Sequence, residues 1–427
     1  MKEELLHFIW KYNGGLLNSL INNNEEAFEI VSSGEHNTNS GPDFFNAKIK
    51  IDNVLWAGNV EMHINASDWY KHGHHKNPAY DSVILHLVVN NDMQTKTSSG
   101  RDVKTLVVSI PKKLEGRFSD LMRSTSWIPC SQYLKEYNSL SLNIWLSSLA
   151  VERLEQKTKQ VQKLVDDYNG SWEEAFYVSM ARSFGLRINS QPFEMLAKAT
   201  PLKALAKVKD NILSVEAILF GQAGLLNDLN SDYDPDDYKT SLQKEYRYQK
   251  DKFGLNPIPF HLWKFMRLRP PSFPTIRIAQ FAKLIHKSSG LFSMCMDSKD
   301  LNQLSSNLRI DCSTYWDTHY TFGKESKYSK KFLGRTMVST ILINTIIPFM
   351  FAYGTYRGNQ TLRDRAISIL ESLKPETNSI IKRFDDLGVH ADSAFITQAL
   401  LHLKGQYCDN KKCLYCQIGV NALLNKA

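Results

Sequence analysis

The chain of 427 residues is 42 % hydrophobic and 11 % aromatic, with 21 Gly and 14 Pro, which excludes a mostly disordered or fibrous polymer and leaves room for two or three packed domains. Its net charge of +8 is unevenly placed: residues 1–111 hold nine Lys and Arg against 13 Asp and Glu, so the remainder carries the basic excess. An acidic front followed by a basic body suits a carboxylate-rich metal site beside a surface that attracts polyanions.

The opening MKEELLHFIWKYNGG has acidic residues ahead of a short apolar run and no small-residue cleavage site, so a cytoplasmic location is expected. Leu5, Leu6, Phe8, Ile9 and Tyr12 form one face of a short helix stopping at Gly14-Gly15. Phe28, Ile30 and Val31 predict a strand running into the turn-rich Ser32 to Asn37. Phe45, Ala47, Ile49 and Ile51 alternate with polar residues, as do Val54, Trp56, Val60, Met62 and Ile64 after Asp52-Asn53, and together they predict a β-hairpin. Asn65 to Asp68 offers N-caps for a helical or irregular stretch rich in histidine that Pro78 closes. Ser82 to Asn90 reads as a central strand covered on both faces, and Val103 to Ile110 as a last strand.

From about Asn138 the pattern becomes helical, with 3.6-residue periodicity over 140–168, 172–184, 190–209, 211–228, 275–288, 335–353, 361–373, 376–386 and 392–404. The membrane-like stretch Met337 to Gly354 contains Ser339, Thr340, Asn344, Thr345 and Pro348, which favours a buried helix over a span, so no membrane partner is expected. Ser231 to Tyr238 and Pro257 to Pro274 read as linkers. The expected division is an α/β domain over 1–125 and a mainly α-helical domain over 126–427.

Gly41-Pro42-Asp43 followed by Glu61-Met62-His63, set in the element order αβββαβ, resembles the PD-(D/E)XK nuclease superfamily. The resemblance implies a restriction-endonuclease-like core on a mixed sheet. It also implies Asp43 and Glu61 as Mg²⁺ or Mn²⁺ ligands, with His63 where the superfamily has lysine. Such ions polarise a phosphoryl oxygen and acidify a bound water. His63 can act as ligand, base or protonated stabiliser. Glu35, in the turn before Asp43, is the favoured further ligand over Glu4. A two-residue turn at Asp52-Asn53 would set Asp43 and Glu61 on opposite faces, so a β-bulge is expected between Asp43 and Ala47. Over its full length the chain also resembles an uncharacterised bacterial family of unknown function, through GEHNTNSGPDFFNAKIKID, WAGNVEMHINASDWYKH, YDSVILHLVV and YCDNKKCLYC.

The leading expectation is metal-dependent phosphodiester hydrolysis of DNA or RNA by Asp43, Glu61 and His63. One alternative is an inactive nucleic-acid-binding or scaffold protein that keeps the fold. Another is a histidine-metal hydrolase on His72, His74 and Asp81. Residues 244–287 hold ten Lys and Arg against two acids, interleaved with Tyr246, Tyr248, Phe253, Phe260, Trp263, Phe265 and Phe273. Arg247, Lys250, Lys252, Lys264, Arg267 and Arg269 are thus candidate nucleic-acid contacts, with the aromatics available to stack on bases or to fill a core. Cys408, Cys413 and Cys416 suggest zinc, or the iron–sulfur cluster found in some nucleases of that superfamily, with His402 or Cys130 as the fourth ligand.

Overall fold

The computed structural model describes residues 3–12, 28–51, 53–134, 137–227, 235–288 and 290–424. The expected stop at Gly14-Gly15, Asp52 of the hairpin turn, and Ser231 to Asp234 of the acidic linker lie outside the described residues. The chain forms two compact units, one of Met1–Leu142 with Leu403–Ala427 and one of Asn143–His402. The first therefore runs past residue 125 and takes back the C-terminal segment.

The first unit is built on helix α1 (Glu3–Tyr12) and strands β1 (Phe28–Ser32), β2 (Glu35–His36), β3 (Phe44–Ile51), β4 (Val54–Asn65), β5 (Val83–Asn90) and β6 (Thr105–Val107). The strands form one mixed sheet in the order β1-β3-β4-β5-β6, with β2 also on β3. β3 and β4 are antiparallel, whereas β4–β5 and β5–β6 are parallel. A parallel pair needs a crossover, here residues 66–82, which hold helix α2 (Asp68–Lys71) and the 3₁₀ turns His74–Lys76 and Pro78–Tyr80. The expected histidine-rich stretch is thus α-helical for only one turn, because Gly73 takes a left-handed φ of 77° that helices do not continue through. α1 packs on β4, burying Leu5, Leu6, Phe8, Ile9 and Trp10.

The expected last strand shrinks to Thr105–Val107, and a helix the periodicity reading missed, α3 (Lys112–Arg123), follows it. Leu114, Phe118 and Leu121 bury its narrow apolar face. A one-turn helix, α4 (Ser131–Leu134), comes after it. The first half of β4 also departs from expectation: Val54, Leu55 and Trp56 at the hairpin end are 57 %, 59 % and 43 % exposed, so alternation there marks no buried face.

Register decides the rest. From Ile51↔Val54 to Ala47↔Gly58 the pairs run without interruption, then a one-residue shift gives Phe44↔Val60. The bulge expected between Asp43 and Ala47 therefore lies between Phe44 and Ala47. Asn46 takes a φ of 55° there, and its N–H donates to Asn59 Oδ1 at 3.2 Å. Such bulges re-aim neighbouring side chains, and this one brings Asp43 level with Glu61.

The second unit is mostly helical, and 190–209 divides into Ser190–Ala199 and Leu202–Val208 around Pro201. Helices Asp237–Phe253, Leu291–Asp297 and Leu301–Asn307, with the paired strands His319–Thr321 and Lys324–Glu325, lie outside the expected periods, the first of them starting inside the expected linker Ser231 to Tyr238. Among the described residues one helix, Arg335–Tyr356, is long and apolar enough to cross a membrane, and 72 % of its apolar window is buried. It passes through a π turn at Leu342–Ile346, just before Pro348, whose missing N–H could not have bonded back to Asn344.

Glu216, 1 % exposed, accepts hydrogen bonds from Tyr238 at 2.5 Å and Ser313 at 2.9 Å. Burial outweighs these bonds and pushes its carboxyl up to about 7. Between an unfolded value of 4.5 and about 7, the folded state keeps a proton that the unfolded state has released, so stability falls as pH rises through that window. Glu216→Gln removes this dependence. Urea titrations should show the variant gaining on the parent by about 3 kcal/mol from pH 4 to pH 8, and a pH-independent difference would overturn the assignment.

Candidate metal centre

Two carboxylates face each other across the bulge. The Asp43 N–H donates to Glu61 Oε2 at 3.0 Å, and the Met62 N–H donates to Asp43 Oδ2 at 2.9 Å, so each strand's backbone holds the other strand's acid. Asp43 Oδ2 also lies 3.2 Å from His7 Nε2 on α1. Glu61 is 5 % exposed. Burial, with the Asp43 charge beside it, holds its carboxyl well above the usual carboxylate range.

Imidazoles surround the same acid. Glu61 and His63, two apart on β4, share a face, and His86 opposes Glu61 on β5. His63 Nδ1 lies 2.8 Å from His86 Nε2, and His63 Nε2 lies 3.0 Å from His72 Nδ1. Glu61 Oε1 stands 3.2 Å from His74 Nε2 and 3.7 Å from His63 Nε2. One nitrogen from each of His63, His72 and His74 lies within 4.8 Å of the others. A divalent metal with bonds of about 2.1 Å separates its ligands by roughly 3.0–3.4 Å, so the wider of these spacings would have to close for one ion to be shared. The left-handed Gly73 turns the chain between His72 and His74 so that both reach His63. Trp69 and Tyr80 pack against His74, with ring centroids 5.3 and 3.8 Å away.

Burial first, then the neighbouring imidazoles of His86, His74 and His72, hold His63 down to about 3. Neutral at ordinary pH, it does not fill the role of protonated stabiliser that was one of those expected for it. A proton on Nδ1 directed at His86 would leave the Nε2 lone pair facing His72 and Glu61, as second-shell partners do for metal-binding histidines. His7 behaves differently: against the effect of burial, its contact with Asp43 raises its pKa.

Several expected residues fall elsewhere. Glu35 is exposed and pairs with Phe45, whereas His36 pairs with Phe44; alternation along β2 turns His36, not Glu35, toward His7, with ring centroids 5.5 Å apart. On α1, Glu4 is exposed, while Glu3, one turn before His7, interacts electrostatically with Asp43 and His72. Asp81 joins no histidine site, because its carboxylate accepts the Ser98 N–H and hydroxyl; His72 and His74 belong with the hairpin instead. His75 packs on Tyr70. His402 sits against Glu152, Nε2 to Oε1 3.3 Å. Glu3 and His7 were missed, and their spacing of four on one helix was the available signal.

In the basic segment, Arg247, Lys252, Lys264, Arg267 and Arg269 are exposed and Lys250 is half-buried. Of the seven interleaved aromatics only Tyr248, 61 % exposed, is open. Trp263 is core, its Nε1–H donating to Ala223 O at 2.8 Å, and the Tyr246 ring lies so close to Gly221 that a Cβ there would sit 2.2 Å from it. Tyr246, Phe253, Phe260, Phe265 and Phe273 are half-buried.

A mixed α/β unit carrying a carboxylate-imidazole cluster, followed by a mostly helical unit, defines the class of protein. The chain belongs to the family described as protein of unknown function (DUF2851), whose model matches residues 3–379. No curated protein and no solved structure matches it.

Proposed function

We propose that the first unit is a metal-dependent phosphodiesterase acting on nucleic acid, with its metal held by Glu61, His63, His72 and His74 and flanked by Asp43. The observation that carries this reading is that Glu61 Oε1 lies 3.2 Å from His74 Nε2 and 3.7 Å from His63 Nε2, with one nitrogen each of His63, His72 and His74 within 4.8 Å of one another, beside a second acid aligned by a bulge. The element order shared with the PD-(D/E)XK superfamily supports the substrate class. Three nitrogens and one or two carboxylate oxygens favour Mn²⁺, Zn²⁺ or Fe²⁺ over the Mg²⁺ that an all-carboxylate site would take. Such an ion would polarise a phosphoryl oxygen and lower the pKa of a bound water. Glu61 and Asp43 supply negative charge that holds a cation, His86 orients His63, and His7, 21 % exposed on its side chain, is placed to exchange a proton with a leaving oxygen.

The test is cleavage of labelled single- and double-stranded DNA and RNA with Mn²⁺, Zn²⁺ or Mg²⁺ in turn. Stimulation by Mn²⁺ that disappears in Asp43→Ala supports the reading. Metal-independent cleavage, or cleavage surviving that substitution, overturns it, and oligonucleotide binding without cleavage would favour the scaffold alternative.

The exposed cations of the second unit supply the electrostatic part. Replacing Arg247 and Lys252 together by alanine should weaken oligonucleotide binding alike for all sequences. The slope of log affinity against log salt should fall by about 0.7–0.9 per lost contact. An unchanged slope would remove this helix from the binding surface.

A further inference from the structure

Six cysteines are free in this chain, and four of them belong to the first unit although the whole second unit separates Cys130 from the others. Cys130 immediately precedes α4. Both α3 and α4 pack on the terminal helix Gln417–Leu424, which begins one residue after Cys416. The π turn Leu403–Cys408 ends on Cys408 and packs on the 3₁₀ turn Cys413–Tyr415. Between them the loop folds back, its Lys411 N–H donating to Cys408 O at 3.2 Å and its Lys412 N–H to Tyr407 O at 2.9 Å. Lys411 Nζ donates to Met122 O at 2.6 Å, tying the loop to the end of α3. Gly419 allows the closest approach, since a Cβ there would lie 2.3 Å from Cys413 O.

The thiols are placed as a group. Cys130, Cys413 and Cys416 are each 5 % exposed and Cys408 is half-buried. Cys130 is an electrostatic neighbour of Cys416 and Cys413, and Cys408 of all three others. Lys404 stands near Cys408 and Lys411 near Cys413, cations that would offset the negative charge of a thiolate set. Cys295 and Cys312 show what simple packing looks like here. Both are buried, and Cys312 hydrogen-bonds to carbonyls of Ile276 and Lys331. Packing alone does not require four thiols from two ends of a sequence to share one locus.

We propose that Cys130, Cys408, Cys413 and Cys416 form a four-thiolate centre for a soft metal, a single zinc ion or an iron–sulfur cluster, that staples the C-terminal segment to the first unit. Loading a divalent ion is redox-neutral: four S–H bonds give way to four metal–sulfur bonds and up to four protons leave. A zinc tetrathiolate has sulfur–sulfur edges of about 3.8 Å, from Zn–S bonds of about 2.3 Å. Among the described residues the close set within 4.8 Å is that of His63, His72 and His74, so zinc would draw the sulfurs inward, whereas a cluster with bridging sulfide accepts the wider set. The two sources share thiolate ligation and differ in iron and sulfide content.

The experiment uses the full chain purified under anaerobic, reducing conditions without chelator, with metal and acid-labile sulfide analysis and X-ray absorption at the zinc and iron edges. A sulfur shell is expected at one edge, at about 2.3 Å. Zinc near one per chain identifies the ion, and iron with matching sulfide the cluster. Cys130→Ser and Cys413→Ser should each lose that signal, while Cys295→Ser and Glu61→Gln keep it. Metal bound with nitrogen and oxygen neighbours only, a protein with no sulfur shell at either the zinc or the iron edge, or a folded Cys130→Ser that keeps its sulfur shell would each overturn the proposal. The wild-type absorption measurement decides even if the serine variants do not fold.

Discussion

Glu61→Gln is expected to lower metal-stimulated cleavage by on the order of a thousandfold, the upper end of what a single preorganised electrostatic group contributes. The substitution keeps shape and an acceptor for the Asp43 N–H, which lies 3.0 Å from Glu61 Oε2, and removes the negative charge next to His74 and His63. Stability provides a second readout independent of catalysis. A metal that binds only the folded chain adds about 2.7 kcal/mol at a hundred times its dissociation constant, so Mn²⁺ or Zn²⁺ should raise the melting temperature of the parent and not of Glu61→Gln. Without metal the variant should be no less stable, because it no longer buries a carboxyl against Asp43. His75→Ala, a change to a ring packed on Tyr70, should leave both readouts alone. Equal metal-induced stabilisation in Glu61→Gln and the parent would remove Glu61 from the ligand set.

The second large effect is expected at Gly34. Its φ is +76°, and a Cβ there would lie 2.2 Å from Phe45 O and 2.8 Å from Ala47 N, two backbone atoms of the bulged stretch that cannot step aside singly. A left-handed non-glycine residue costs about 1–2 kcal/mol and overpacking about 1–3 kcal/mol more, so Gly34→Ala should destabilise by about 3 kcal/mol in chemical denaturation. The clash falls on the bulge that aligns Asp43 with Glu61, so metal affinity should drop even at temperatures where the variant is folded. Gly73→Ala makes the comparison. With φ +77° and nothing within 4 Å of the new Cβ, it should cost only the backbone part, about 1–2 kcal/mol. Equal losses at the two positions would show that crowding at the bulge contributes nothing.

Local rules in the sequence carried much of this unit. Alternation marked β3 and the inner half of β4, an uninterrupted apolar run marked β5, and i, i+3, i+4 spacing marked α1, because burial of a strand or helix face leaves its own period in the chain. The misplacement of Asp43 against Glu61 in an unbroken hairpin was itself legible as a bulge, since strand register is arithmetic. Where a residue's partners are distant in sequence, the chain alone was silent. α3 buries only a narrow stripe, and Val54 to Trp56 alternate at a hairpin end that pairs with β3 but that β5 does not reach, so pattern and burial part company there.

The amino-acid sequence by itself determined the order of elements, the bulged hairpin with its two acids, and the supply of histidines and cysteines, all properties of short stretches that obey backbone geometry. Only the tertiary structure decided the company each group keeps. The parallel crossover returns His72 and His74 to His63 and Glu61 and turns Asp81 toward Ser98. Alternation across β2 selects His36 over Glu35, and the return of Leu403–Ala427 to the first unit joins Cys130 to the C-terminal thiols while His402 stays with Glu152. Each choice depends on which segments pack together across long loops, and that is set by the burial of whole faces, a free energy summed over many residues and recorded in no single one of them.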